Sequence, residues 1–125
     1  MKLRIKGDSL RLRLTQGEVR SLEEQGSVSD AIRFGPDSKL EYRLRRDDAV
    51  DGLTARYRAS VIEVCVPEEM ALQWCRSDLV TLECTRRSAA GELRILVEKD
   101  FSCLVPRSGE DESDHFPHPN AKAGT

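Results

Sequence analysis

Residues 61–75 read VIEVCVPEEMALQWC, and the change of rhythm inside that stretch decides the fold. Ile62, Val64 and Val66 alternate with Val61, Glu63 and Cys65, the period of two that marks a strand with distinct faces. Pro67-Glu68-Glu69 then opens a helix. Proline suits the first helical position, where its missing N–H is no loss, and the two acids favour the positive end of the helix dipole. Met70, Ala71, Trp74 and Cys75 follow at helical spacing and form a buried stripe. A strand thus runs straight into a short helix. Outward from this stretch, Ala55 and Tyr57 alternate with Arg56 and Arg58 before it. After it come a strand through Val80, Leu82 and Cys84, a turn at Ser88-Ala89-Ala90-Gly91, and a strand through Leu93, Ile95 and Val97.

The N-terminal half has the same order. Leu3 and Ile5 oppose Arg4 and Lys6; Gly7-Asp8 supplies turn chemistry; Leu10, Leu12 and Leu14 then oppose Arg11 and Arg13. Thr15-Gln16-Gly17-Glu18 has the form of a capping box, in which the hydroxyl caps the first turn and the carboxylate reaches back. Gly17 weakens that first turn, Val19 and Leu22 share a face, and Gly26 supplies the left-handed stop. An irregular strand over residues 28–34, a turn at Gly35-Pro36-Asp37-Ser38, and a strand through Leu40, Tyr42 and Leu44 complete the unit. A slide of about 52 residues lays Leu12 on Val64, Leu14 on Val66, Leu22 on Trp74 and Val28 on Val80. One more residue of shift lays Leu40, Tyr42 and Leu44 on Leu93, Ile95 and Val97. The pattern repeats while the residues do not.

The expected fold is therefore α+β: about eight mostly antiparallel strands and two short helices, in two strand-strand-helix-strand-strand units. Edge-to-edge pairing of the halves, closing the strands into a barrel, is the expected way to remove exposed edges. Residues 1–105 form one domain, with halves 1–48 and 53–101, and residues 106–125 read as a flexible polar tail.

Composition narrows the function classes. In 125 residues the hydrophobic share is 38%, the charged share 34% and the aromatic share 5%, so aliphatic side chains must build the interior. A net charge of -2 gives no global attraction to nucleic acid or an anionic membrane. The opening residues alternate charge with apolar side chains and contain no export-type run, and no long apolar segment follows. Cys65, Cys75, Cys84 and Cys103 contain no C-x-x-C pair and read as reduced thiols of a cytoplasmic protein, mostly buried.

Two resemblances add to this. The run from Val61 to Glu69, the short helix, Ser77-Asp78-Leu79-Val80 and the closing strand resemble the swapped-hairpin domain of AbrB and MazE transcription factors. That resemblance implies a DNA-binding pseudo-dimer made of two units in one chain. Over a wider span, Lys2 to Gly7, Leu10 to Thr15, Glu98-Lys99-Asp100-Phe101 with Cys103, Glu110 to Asp114 and Phe116-Pro117 are similar to a family of small uncharacterised bacterial proteins. This implies a bacterial source and a domain of unknown function.

Three constellations could carry chemistry. Arg4, Lys6, Arg11, Arg13 and Arg43 lie on polar strand faces, and guanidinium groups in rows suit phosphate or carboxylate. Their competing reading is a solvated face, since Glu41, Glu63, Glu83, Glu92 and Glu98 lie among them. Aromatic side chains are missing from these faces, which weakens the case for nucleic acid. Cys103, His115 and His118, beside Glu110, Asp111, Glu112 and Asp114, are ligand types that zinc takes. Pro117 and Pro119 favour an extended chain there, and the competing reading is a solvated acidic tail, with no cofactor expected. A lone cysteine could act as a nucleophile, but nothing local marks a depressed pKa. There is no glycine-rich phosphate loop, serine elbow or His-Glu-x-x-His motif.

The reading these features favour is a non-enzymatic binding or interaction module of a bacterial cytoplasm, monomer or homodimer, whose basic strand face takes an anionic ligand or partner. The alternatives are a small metal-dependent or thiol enzyme using Cys103 and the tail, and the AbrB-like DNA-binding pseudo-dimer.

Overall fold

The computed structural model describes residues 1–101, 114 and 116. The order is β1 (Lys2–Lys6), β2 (Ser9–Leu14), α1 (Gln16–Gln25), β3 (Ser27–Gly35), β4 (Ser38–Asp47), β5 (Thr54–Arg58), β6 (Val61–Pro67), α2 (Glu68–Cys75), β7 (Thr81–Ser88) and β8 (Gly91–Lys99). The α+β expectation, with eight strands and two short helices, is met.

The strands make two four-stranded sheets, β1-β2-β8-β7 and β3-β4-β6-β5. Replacing each strand of the first sheet by its counterpart in the other half gives β5-β6-β4-β3, which is the second sheet. Each half therefore sends its first hairpin to one sheet and its second hairpin to the other. The hairpins pair antiparallel within themselves, whereas the two central pairings, β2 with β8 and β4 with β6, are parallel. This corrects the expected barrel. Among the described residues no strand of one sheet pairs with a strand of the other, and the halves interleave rather than meet edge to edge. The reason is the helix between the hairpins of each half, which carries the chain from one sheet to the other.

Register turns the alternation into a core. Leu12 lies opposite Val97, and its counterpart Val64 lies opposite Leu44. All four are buried with Leu14, Leu22, Val66, Trp74 and Ile95 between the sheets and beneath the helices. α1 starts as the sequence demands: the Thr15 side chain accepts from the Glu18 N–H while the Glu18 carboxylate accepts from the Thr15 N–H. It ends on Gly26 at φ 89°, a left-handed conformation that glycine adopts without strain. Gly17, which weakens the helix, has a structural use. Its N–H donates to the Asp114 carboxylate at 3.2 Å, and a Cβ there would lie 3.0 Å from that carboxylate. Of residues 106–125, the two described ones, Asp114 and Phe116, both touch the body. The Phe116 N–H donates to the Asp100 carbonyl at 2.8 Å, and its ring lies 5.6 Å from that of Phe101.

The two-residue turns of the first hairpins also correspond. Gly7-Asp8 joins β1 to β2, and Ala59-Ser60 joins β5 to β6, with φ of 55° at Gly7 and 55° and 64° at Ala59 and Ser60. A tight hairpin between right-twisted strands calls for left-handed backbone at its turn, at the first residue in Gly7-Asp8 and at both residues in Ala59-Ser60. Alanine pays a steric penalty there of about 1 kcal/mol that glycine does not. Ala59→Gly is therefore expected to raise the unfolding free energy by about 1 kcal/mol, read from urea denaturation, and no gain would refute the strain.

Candidate functional site

The outward residues of β1, β2 and β8 form a basic surface on the first sheet. Alternation turns Leu10, Leu12 and Leu14 inward, so Arg11 and Arg13 point out, and the antiparallel register sets Arg4 against Arg11 and Lys6 against Ser9. The parallel neighbour adds Arg94 opposite Ser9 and Glu98 opposite Arg13. Arg4, Lys6, Arg11 and Arg94, with Gly7 and Ser9, line one open hollow of about 660 Å³.

Charge balance within the face is uneven. Glu98 accepts from Arg13 Nε at 3.2 Å and faces Arg11 Nε at 3.4 Å, with the Thr81 hydroxyl donating to its second oxygen. Glu83 lies 2.7 Å from Arg94 Nε. Among the described residues, no carboxylate lies within ion-pair distance of Arg4 or Lys6. The hollow therefore carries four cationic side chains, two of them uncompensated, and it is open to water.

The structure brings Arg4, Lys6 and Arg11 together, as expected. Arg13 stands one register step away, engaged by Glu98, and Arg43 belongs to the other sheet. Sequence alternation places each of these side chains on an outer face, but strand order decides which outer face. Arg94, which alternation also places on a polar strand face, is the member outside the five residues expected to form the site. Its signal was present, a polar-face arginine between Leu93 and Ile95, but the parallel β2–β8 pairing that makes it a neighbour of Ser9 is not local information.

On the second sheet the three arginines Arg43, Arg45 and Arg56 are paired with acids, whereas Arg33, Lys39 and Arg58 of the same face have no carboxylate within ion-pair distance among the described residues. Glu63, only 7% exposed, accepts from Arg56 Nη2 at 2.7 Å, Arg43 Nη1 at 3.2 Å and Arg45 Nε at 3.3 Å. Arg43 also reaches Glu41 at 2.9 Å, and Arg45 reaches Asp47 at 3.2 Å. Burial pushes the Glu63 carboxyl up, but the hydrogen bonds from Arg45 and Arg56 outweigh it and hold its pKa at about 2. A small recess of about 180 Å³ lies among Arg43, Arg56, Arg58, Val61 and Glu63. The basic cluster of this sheet thus surrounds an acid of its own, and it is a structural network first.

The expected metal ligands Cys103, His115 and His118 lie outside the described residues. Among the described residues, no group of three or more His, Cys, Asp or Glu side chains is placed to hold an ion. Cys65 is 4% exposed, with Arg45 Nη2 at 3.4 Å from its sulfur. Burial pushes the Cys65 thiol up, as it does the Cys75 thiol, whose sulfur faces the Val19 carbonyl. Both cysteines are held away from the thiolate form that nucleophilic chemistry needs. Among the described residues no helix is long and apolar enough to cross a membrane.

Fold and surface together define a two-sheet α+β domain of two halves with the same order of elements, one outer face organised around Glu63 and the other carrying an open basic hollow. The chain belongs to DUF7009, a family of unknown function, whose pattern matches residues 1–120. No curated protein and no solved structure matches it. The expected kinship with a family lacking an assigned function is met.

Proposed function

We propose that this protein is a non-enzymatic binding module that holds an anionic ligand in the hollow lined by Arg4, Lys6, Arg11 and Arg94. The observation that carries the reading is the gathering of Arg4, Lys6, Arg11 and Arg94 around one open hollow, with Arg4 and Lys6 outside ion-pair distance of any carboxylate among the described residues. On the equivalent strands of the other sheet, Arg43, Arg45 and Arg56 instead surround the buried carboxylate of Glu63. Exposed like charges side by side repel one another, and an anion bound between them relieves that repulsion. Planar guanidinium forks beside the Ser9 hydroxyl match phosphate or carboxylate oxygens. The state of Cys65 and Cys75 supports binding over catalysis, since burial disfavours their reactive form.

Inorganic triphosphate is a suitable probe. Its affinity, measured by titration calorimetry, is expected to fall steeply with added salt and by about tenfold in the double variant Arg4→Glu, Lys6→Glu, a loss of ~1.4 kcal/mol. Arg43→Glu on the other sheet is expected to leave it unchanged. Equal losses from both changes would mean a diffuse charge effect and sink the assignment of this hollow.

A second reading, the DNA-binding pseudo-dimer, is supported by the exchange of hairpins between the halves. A short duplex oligonucleotide in the same titration tests it. Submicromolar binding that survives Arg4→Glu, Lys6→Glu would favour that reading over the first.

A further inference from the structure

The two sheets are covered at one end only. α1 follows the last residue of β2 and α2 follows the last residue of β6, so both helices sit at the same end of these strands. At the opposite end the inner faces continue past the core and stay open. There Ile5, Leu10 and Leu93 of the first sheet face Leu40, Ala55, Tyr57 and Ile62 of the second, around a cleft of about 420 Å³. That volume is ordinary for a small-molecule site. Its floor is continuous with the core, since Leu10 is buried and Ala55, Ile62 and Leu93 pack against it. Its lips are apolar and wet: Ile5 is 59% and Tyr57 68% exposed. These two are counterparts under the internal repeat, one on each outermost strand of the opening. Ile32, paired with Leu40, extends the apolar surface along β3.

The cleft shares a rim with the basic hollow. Gly7 and Ser9, at the turn between β1 and β2, line both. The turn is where the sheet ends, so the inward side chains Ile5 and Leu10 and the outward side chains Lys6 and Arg11 meet around it. The polar groups at the cleft itself are few: Asp8, Ser9 and Arg56, the last engaged by Glu63.

We propose that the site takes a single-chain anionic amphiphile, one molecule at a time, with its hydrocarbon chain in the cleft and its anionic head beside Lys6, Arg4 and Arg94. The proposal rests on the anion-binding reading above and specifies the ligand. Charge complementarity names the occupant: an apolar slot beside uncompensated cations matches a molecule that is apolar at one end and anionic at the other. A neutral apolar partner would leave the cations unused, and a small anion would leave Ile5 and Tyr57 in water.

The test uses the full chain and three probes below their aggregation limits: dodecyl phosphate, dodecanol and inorganic phosphate. Dodecyl phosphate is expected to bind with unit stoichiometry and at least tenfold more tightly than either of the others. Ile5→Asp and Tyr57→Ser change exposed side chains, and thermal unfolding checks that both variants fold. Each is expected to weaken dodecyl phosphate by about tenfold, and Tyr57→Ser, which adds no charge, is expected to leave inorganic triphosphate binding intact. Triphosphate binding with no gain from the dodecyl chain overturns the amphiphile and leaves the anion reading standing. Dodecyl phosphate binding that ignores Arg4→Glu, Lys6→Glu overturns both. Sedimentation supplies a further arm: a homodimer that Ile5→Asp converts to monomer assigns the cleft to a second copy and overturns the proposal. Adsorption to phosphatidylglycerol vesicles with no binding of monomeric dodecyl phosphate overturns it too.

Discussion

Trp74→Ala is expected to remove about 4 kcal/mol of stability, the largest loss from any single side chain here. Trp74 is fully buried in α2, where its ring fills the space between the helix and the ends of both sheets. It is also polar at one point: its indole N–H donates to the Val80 carbonyl at 2.9 Å, fixing the chain as it leaves the helix for β7. Lys99 lies over the ring at 5.4 Å and donates to the Ser77 carbonyl at 2.5 Å, so one cation ties strand, ring and helix end together. Truncation leaves a cavity that rigid neighbours cannot refill and a carbonyl without its donor. In a domain of this size the midpoint of thermal unfolding is expected to fall by about 15 °C. Trp74→Phe separates the contributions: it keeps most of the ring and loses the donor, with an expected loss of about 1–2 kcal/mol. A phenylalanine variant as unstable as the alanine one would show that the hydrogen bond, not the volume, dominates.

Glu63→Gln is expected to cost about 2 kcal/mol at neutral pH and almost nothing in strong acid. The folded carboxyl has a pKa of about 2 against an ordinary value of 4.5, so the folded state favours the ionised form. A depressed acid contributes stability that is fully present above its unfolded pKa and is lost as pH falls through its folded pKa. The window therefore runs from about pH 4.5 down to about pH 2. A shift of that size corresponds to at most ~3 kcal/mol, and water around the half-exposed arginines reduces it to about 2. Glutamine keeps the shape but leaves Arg43, Arg45 and Arg56 facing one another without their counter-charge. Urea denaturation at pH 7, pH 4 and pH 2.5 is the measurement. The two proteins should converge in stability as pH falls, and a constant gap across that range would rule out the charge network as the cause.

These effects were unequally visible in the chain. The burial of Trp74 follows from its place on the α2 stripe, beside Ala71 and one turn from Met70. The role of Glu63 did not. On β6 it reads as one polar residue in an alternating strand, with an arginine on each of several other strands. Only the pairing of β6 with β4 on one side and β5 on the other brings Arg43, Arg45 and Arg56 around it. Cys65 is a similar case: its outward position implies exposure, but Arg45 and the neighbouring strands cover it. The Ala59-Ser60 turn went unmarked because it has no Gly, Asn or Asp to favour a positive φ and Ser60 alone is a weak signal, and its left-handed backbone is imposed by the hairpin around it.

Local chemistry alone determined the elements. Period-two alternation set the strands and their inner faces, the capping box and Gly26 bounded α1, and Pro67 with its acids opened α2. The internal repeat was legible as well, because two units with the same order of elements need apolar side chains at the same positions even where they share no residue. What only the tertiary structure decided is partnership. Alternation says that a side chain points out, but not from which sheet or beside which neighbour. The parallel pairings β2–β8 and β4–β6 join residues 85 and 20 positions apart, Leu12 with Val97 and Leu44 with Val64, so no local signal specifies them. Arg46 and Lys99 show the consequence. They are counterparts under the repeat, and each turns back to carbonyls at the end of its own half's helix, Leu22 and Glu23 for one and Ser77 for the other. Exchange of hairpins between the sheets creates the basic hollow, the arginine network around Glu63 and the open apolar end, because each is assembled from side chains of both halves.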